Sequence, residues 1–179
     1  MSFMAIRIIL DAGHGGRDSG AVYGDRAEKD DNLNMTLAVG RILEEKGFDV
    51  VYTRQEDIYQ PPFQKATIAN ELGGDLFVSI HRNSSAIPNQ YQGIETLIYS
   101  MGGFPEKVAD NINKELEKVG YINLGIEERP RLIVLNSTQM PAVLVEVGFI
   151  NSEADNRLFV DFFEETASAI ANGIAESFS

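Results

Sequence analysis

The chain of 179 residues has the length of one domain, and its 15 basic against 27 acidic side chains leave a formal charge of −12 at pH 7. This charge excludes a nucleic-acid binder that works through bulk positive charge, because neutralising phosphates requires a basic face. The absence of cysteine excludes disulfide bridges, thiolate metal sites and a cysteine nucleophile.

Short apolar strands alternate with helical stretches along the chain, a pattern typical of an α/β fold with a largely parallel sheet. We therefore predict a single domain over residues 1–179, in which a mixed, mainly parallel twisted sheet of about six strands is flanked by helices. The predicted elements, in chain order, are a strand at 6–11, a glycine-rich loop at 13–24, a helix at 31–46, a strand at 49–53, a helix at 63–72, strands at 76–81 and 93–99, a helix at 105–119, strands at 131–135 and 142–147, and one or two closing helices over 153–178.

The two histidines of the chain, His14 and His81, each come where a predicted strand has just ended. The carboxyl ends of parallel strands open into the crevice where ligands bind, so both imidazoles are expected at one site. Glu146 lies near the end of a third strand, in an otherwise apolar run that disfavours an unpaired charge. Spacing alone leaves two interpretations open: a metal site, or hydrogen-bonded loop histidines with the glutamate facing solvent.

The glycine-rich loop invites comparison with phosphate-binding loops. Its glycines include Gly13, Gly15 and Gly16, but Asp18 occupies the last glycine position of G-x-G-x-x-G and no G-K-[ST] follows. These two mismatches exclude a dinucleotide-binding site and a P-loop site.

Five blocks of sequence stand in order along nearly the whole chain. They are DAGHGG at 11–16, AEKDDNLNMTLA at 27–38, TR at 53–54, SIHRN at 79–83 and MPAVLVEVGFINSEAD at 140–155. Together these blocks resemble the zinc-dependent N-acetylmuramoyl-L-alanine amidases, the peptidoglycan amidases of bacterial autolysins and phage endolysins.

The resemblance implies one Zn²⁺ per chain, with His14, Glu28 and His81 as its ligands and Glu146 as the catalytic glutamate. Two imidazoles and one carboxylate leave the fourth position of zinc open, as a catalytic site requires. The choice of Glu28 among the many acids of the chain rests on the resemblance. The implied reaction is hydrolysis of the amide bond between the lactyl group of N-acetylmuramic acid and the L-alanine of the stem peptide, and no other cofactor is needed.

Three further residues are candidates for substrate binding. Asn83 agrees with the family pattern, whereas Arg82 stands where the family often has a small residue. We expect Arg82 either to lie beside the metal and pair with a carboxylate of the stem peptide, since its fork suits bidentate binding, or to be a solvated surface side chain. Arg131, just before a predicted strand, is a candidate of the same kind.

The expected partner is peptidoglycan, with neither nucleic acid nor membrane. The first residues contain no export signal, so we expect either a phage enzyme released to the wall through membrane lesions or a piece of a longer exported protein. Any wall-binding module would lie outside the chain. Because both histidines must be neutral to bind metal, activity is expected to fall as the pH drops through about 6.

Two other functions remain open at this point. Another metal-dependent amide hydrolase, a peptidase or a deacetylase, could use the same ligand set. A wall-binding domain without turnover could keep the fold, but it would be expected to lack a ligand or the catalytic acid.

Overall fold

The computed structural model describes residues 5–179, which form eight strands and six helices in the order expected of an α/β fold. The strands are β1 (Arg7–Ala12), β2 (Val22–Tyr23), β3 (Arg26–Ala27), β4 (Asp49–Tyr52), β5 (Leu76–Asn83), β6 (Ile94–Ile98), β7 (Asn123–Glu128) and β8 (Ala142–Phe149). The helices are α1 (Glu28–Glu45), α2 (Pro62–Leu72), α3 (Phe104–Val119), α4 (Ile133–Asn136), α5 (Glu153–Asp161) and α6 (Phe163–Ser177).

Six of the strands form one sheet in the order β4-β1-β5-β8-β6-β7. All neighbouring pairs in it are parallel except β6 and β8, which are antiparallel. The short strands β2 and β3 form a separate hairpin. This mixed, mainly parallel sheet confirms the predicted fold class.

Helices cover both faces of the sheet and bury two apolar cores. Helices α1, α3 and α6 enclose the larger core, while α2 and α4 cover the opposite face. Successive residues of a strand point to opposite faces, so Ile8 and Leu10 enter the first core and Ile9 the second. Because β1, β5 and β8 are covered on both sides, their sequences are almost continuously apolar.

The structure corrects two of the predicted elements. The predicted strand at 131–135 is wrong: this segment contains helix α4, and the remaining strand of the sheet is β7. A short apolar run fits a buried helical turn as well as a strand, and here Val134 and Leu135 are buried against the core beside α2. Strand β7 lies at the sheet edge and its side chains are partly exposed. It is therefore stabilised mainly by backbone pairing with β6, and less by burial of its side chains. Helix α1 begins at Glu28, three residues before its predicted start.

The topology brings the functional segments to one edge of the sheet. The three adjacent strands β1, β5 and β8 are parallel, so their carboxyl ends lie side by side. Helix α1 begins at the same edge, where Lys29 N donates to Ser19 O in the loop that follows β1. Among residues 5–179, no helix has the length and hydropathy needed to cross a bilayer.

Candidate metal centre

Three side chains converge at the carboxyl edge of the sheet: His14, Glu28 and His81. One ligand atom from each lies within 4.8 Å of those of the other two. The two carboxylate oxygens of Glu28 are 3.2 Å from His14 Nε2 and 3.1 Å from His81 Nδ1. The imidazole rings stand 5.1 Å apart and nearly perpendicular. All three predicted ligands are therefore in one cluster, although they come from distant parts of the chain.

A tight loop after β1 presents His14. This residue has a φ of 61°, in the left-handed region that non-glycine residues adopt rarely and that often marks functional sites. Its Nδ1 lies 2.8 Å from Asp18 Oδ2, which leaves Nε2 facing Glu28. A carboxylate on the far nitrogen of a histidine is the usual way to orient an imidazole toward a metal.

The side chain of His81 lies against the backbone of Gly13. A β-carbon on Gly13 would lie 2.2 Å from His81 Cε1 and 2.3 Å from His81 Nε2, well inside van der Waals contact. Gly13 N also donates to Ile80 O at 3.0 Å and so ties the loop to β5. This glycine allows the two histidine-bearing segments to approach closely.

Glu28 is the first residue of α1 and is almost fully buried. Its Oε2 accepts from Ala21 N at 2.9 Å, and its Oε1 accepts from Arg82 N at 3.2 Å. Burial alone would raise the pKa of this carboxyl, but hydrogen bonds to His14 and His81 outweigh burial and hold the pKa well below its usual range. Glu28 is therefore a carboxylate, the form that ligates a metal.

The environment of His14 favours its charged form when no metal is bound. Burial alone would lower the pKa of His14, but the hydrogen bond and charge of Glu28, together with Asp18, raise it to about 9. The same negative potential attracts a divalent cation, which has to displace this proton. Metal and proton therefore compete for one position.

Glu146 lies beside this cluster on β8, in register with His81 of β5. Its Oε2 is buried and has no hydrogen-bond partner within residues 5–179. Burial raises the pKa of Glu146 to about 7, with a further contribution from the Glu28 and Glu95 carboxylates and an opposing one from His81. An acid of this pKa can both accept and donate a proton near neutral pH.

The donor set fits a divalent transition metal. Two imidazoles and one carboxylate are the ligands of several catalytic zinc sites, in which a fourth position stays open for water or substrate. The buried Glu146 Oε2 requires a partner, and a water in that open position would supply one. The residues present are thus compatible with a catalytic rather than a closed structural metal site.

A cavity of about 280 Å³ adjoins His14 and His81. It is lined mainly by apolar side chains of the α4 region and β8, with Lys65 of α2 and Arg131 among its polar groups. The Arg131 side chain is exposed and forms no ion pair with any residue in the range 5–179. Arg131 thus lines the cavity beside both histidines, although it precedes a helix rather than the predicted strand.

The structure overturns both expectations for Arg82, because its side chain is neither at the metal nor in solvent. The residue is 3% exposed, and Nη1 donates to Asp31 Oδ2 at 2.6 Å. Nη2 donates to Asn156 Oδ1 at 2.7 Å, and the guanidinium lies 4.1 Å from the centroid of the Phe159 ring. Neighbouring residues of a strand face opposite ways, so Arg82 points away from His81 and ties β5 to α1 and α5.

Asn83 remains a candidate for substrate binding. Its Nδ2 donates to Glu95 Oε1 at 2.9 Å. Glu95 lies on β6 directly opposite Glu146, so Asn83 is linked to Glu146 through the neighbouring strand. Burial raises the pKa of Glu95 as well.

Three residues that support the cluster were not predicted from the sequence: Asp18, Asp11 and Lys65. Asp18 holds His14 and could have been found from its spacing, since an acid four residues after a ligand histidine can reach its far nitrogen. Asp11 and Lys65 form a buried ion pair at 2.9 Å beneath the loop. No local pattern indicates this pair, because its members are 54 residues apart.

Comparison with known proteins gives a consistent result. The family model for N-acetylmuramoyl-L-alanine amidase matches residues 8–176. An endolysin of Bacillus phage SPP1 is 37% identical over 180 residues, with 97% of this chain and 66% of the endolysin covered. The sporulation-specific N-acetylmuramoyl-L-alanine amidase of Bacillus subtilis (strain 168) is 33% identical over 180 residues, with 97% of this chain and 69% of that protein covered.

A solved structure extends the similarity to three dimensions. The catalytic domain of CwlV, an N-acetylmuramoyl-L-alanine amidase from Bacillus (Paenibacillus) polymyxa var. colistinus, is 35% identical with a TM-score of 0.87, and 97% of this chain and 98% of that chain are covered. The chain spans slightly less than two thirds of the phage endolysin. Because the family model matches nearly the whole chain and the fold is shared, the chain belongs to the N-acetylmuramoyl-L-alanine amidase family.

Proposed function

We propose that this chain is a zinc-dependent hydrolase that cleaves the amide bond between the lactyl group of N-acetylmuramic acid and L-alanine in peptidoglycan. The observation that carries the proposal is the buried, unpartnered Oε2 of Glu146 beside the three-residue cluster. A charged donor set beside an acid poised near neutral pH, with a cavity adjoining both histidines, is suited to amide hydrolysis.

His14, Glu28 and His81 would hold the ion. When bound, Zn²⁺ polarises the scissile carbonyl and lowers the pKa of water toward neutrality. Asp18 keeps the His14 ring oriented, and the backbone donors of Ala21 and Arg82 hold the Glu28 carboxylate in place. These contacts preorganise the ligands before the metal arrives.

Glu146 moves the proton. In its ionised form Oε2 takes a proton from the attacking water, whose oxygen bonds to the lactyl carbonyl carbon. Glu146 then passes this proton to the amide nitrogen as the carbon–nitrogen bond breaks. The products are a lactyl carboxylate and a stem peptide with a free L-alanine amine. A pKa of about 7 suits both halves of this cycle.

The cavity beside His14 would receive the substrate. Its apolar lining suits the methyl groups next to the scissile bond, and Arg131 offers an unpaired guanidinium for a carboxylate of the stem peptide. We include Asn83 in the substrate site because it lies on the same strand as His81, two residues further on. These two assignments make Arg131 and Asn83 determinants of the Michaelis constant.

We propose that residues 1–179 act as one catalytic unit on the bacterial cell wall, and that a wall-binding module, if the natural protein has one, lies outside this chain. The similarity to a phage endolysin and to a sporulation-specific amidase supports action at the wall. A phage enzyme would reach the wall after release from the cytoplasm, and an autolysin as part of an exported protein.

Mass spectrometry of purified muropeptides tests the function directly. We expect the wild-type chain with Zn²⁺ to release stem peptides with an L-alanine amino terminus, and Glu146→Gln to release none while still binding Zn²⁺. Glu153→Gln, at the exposed start of α5, is the matched control and should behave as wild type. Release of acetate, or cleavage within the stem, would assign the site to a deacetylase or a peptidase instead. Intact muropeptides despite bound Zn²⁺ would indicate a wall-binding domain without turnover.

A further inference from the structure

The Thr-Arg pair at 53–54 follows strand β4, and no catalytic step above uses it. Arg54 is 3% exposed, which is unusual for an arginine. Its guanidinium forms no ion pair with an acid within residues 5–179. Burying an unpaired cation is unfavourable unless other groups replace the water that it loses. The groups that bind the Arg54 guanidinium in place of water therefore indicate its structural role.

All four hydrogen bonds of the guanidinium go to backbone carbonyl oxygens. Arg54 Nε donates to Ala12 O at 3.0 Å, and Nη2 donates to Gly13 O and to Lys29 O, both at 3.0 Å. Nη1 donates to Glu56 O at 3.1 Å. Four carbonyl dipoles thus replace the water that a surface arginine would bind.

Three of these four carbonyls belong to the two segments that carry the first two metal-ligand candidates. Ala12 and Gly13 directly precede His14, and Lys29 directly follows Glu28. One planar side chain therefore joins the loop after β1 to the first turn of α1. The two segments are also joined by backbone hydrogen bonds, and Asn32 Nδ2 and Lys29 Nζ donate to Gly13 O and Gly16 O, both at 3.1 Å. The Glu28 carboxylate adds its contacts with His14 Nε2 and Ala21 N. Arg54 Nη2 differs from these donors in that it binds a backbone carbonyl of each segment at once.

The loop is also shaped to accept this side chain. A β-carbon on Gly15 would lie 3.0 Å from Arg54 Nε and 3.2 Å from Arg54 Cδ. Gly15 has a φ of 134°, a backbone conformation that residues other than glycine rarely adopt. The backbone on the far side of His14 therefore packs directly on the arginine.

We propose that Arg54 is a positioning residue for the metal centre, which sets the separation of His14 and Glu28 by clamping their backbones together. The inference rests on the proposed metal site. A lysine cannot replace the arginine, because its single ammonium lacks the rigid fork that spans both segments. Metal sites tolerate ligand displacements of only about 0.2 Å, so loss of the clamp should weaken Zn²⁺ binding about 10- to 100-fold, as loss of outer-shell partners does elsewhere.

The test compares Arg54→Lys and Arg54→Gln with wild type and with Arg41→Lys. Arg41 is an exposed arginine of α1 that bonds to Glu45 and Glu164, far from the site. For each full chain, the Zn²⁺ dissociation constant is measured by competition with a chelator, and the visible spectrum of the Co²⁺-loaded chain is recorded. Thermal unfolding in excess chelator reports on the fold without metal.

We expect both Arg54 variants to bind Zn²⁺ about 10- to 100-fold more weakly than wild type and to give altered Co²⁺ bands, while they unfold cooperatively without metal. Arg41→Lys should match wild type in all three measurements. Zn²⁺ affinity within threefold of wild type in both Arg54 variants would overturn the inference and leave the proposed function intact. Loss of cooperative unfolding in both variants would also overturn it, in favour of a general folding role. A wild-type chain that binds no Zn²⁺ would refute the metal site and the clamp together.

Discussion

Replacing Gly13 with alanine tests how closely the two histidine-bearing segments must approach. The added β-carbon would lie 2.2 Å from His81 Cε1, whereas ordinary contact begins at 3.4 Å. The imidazole therefore has to retreat by about 1.2 Å, several times the displacement of about 0.2 Å that metal sites tolerate. The φ angle of Gly13 is not positive, so alanine meets no backbone strain there and the effect comes from the side-chain clash alone.

We expect the Gly13→Ala variant to lose at least about 100-fold in amidase activity, as misplacement of a catalytic group by about 1 Å does in other enzymes. Its Zn²⁺ affinity should fall in parallel, because His81 is displaced from the cluster. Overpacking also lowers the free energy of unfolding by about 1–3 kcal/mol, which thermal unfolding without metal would detect.

The matched control is Gly103→Ala at the start of α3. A β-carbon there has Pro105 Cδ as its one neighbour, at 3.7 Å, and the backbone is extended with a φ of −161°. We expect the control to keep wild-type activity and Zn²⁺ affinity. If Gly13→Ala bound Zn²⁺ as tightly as wild type, His81 could move away from the added methyl group and still act as a ligand, which would refute this prediction.

Three further predictions concern the groups behind the metal centre. Asp18→Asn should weaken Zn²⁺ binding about 10- to 100-fold because the ligand imidazole loses its anionic partner, which chelator competition would measure. Arg82→Met removes the buried partner of Asp31 Oδ2 while Arg26 still binds Oδ1, and should lower the free energy of unfolding by about 1–3 kcal/mol in urea titrations. A change below about 1 kcal/mol would contradict this role of Arg82. Burial alone would raise the pKa of Asp11, but Lys65 and two hydroxyl groups outweigh burial and hold it below 3.8. This carboxylate therefore stabilises the fold above about pH 4, and its contribution should decline as the pH falls from there through the folded-state pKa. Lys65→Met should be less stable than wild type by about 3–5 kcal/mol at pH 7, and the difference, measured by urea titration, should shrink as the pH falls below about 4.

The Arg82 result illustrates why residue type alone misdirects a site prediction. Arg82 follows a ligand candidate directly in sequence, and its chemistry suits a carboxylate of the substrate. The strand carries it to the opposite face, where Asp31 and Asn156 already occupy its donors. Arg131 is the converse case, since it is distant in sequence from both histidines and yet lines the cavity beside them.

The sequence by itself determined the fold class and the family, because the alternation of apolar strands with helices and five ordered motifs are local properties of the chain. It also placed His14 and His81 at one site, since ligands bind where parallel strands end, and left open whether Glu146 joined them or faced solvent. The selection of Glu28 depended on the resemblance to the amidases, because nothing in its local pattern distinguishes it from other acids.

Only the tertiary structure decided which short segments became strands and what supports the site. The run at 131–135 formed a helix and the weakly apolar β7 a strand, because neighbours in space rather than local preference set the outcome. Arg54 and Lys65 became buried supports of the ligand loop through contacts that span 41 and 53 residues of chain. Such contacts leave no periodic pattern, since they depend on how strands and helices pack together after folding.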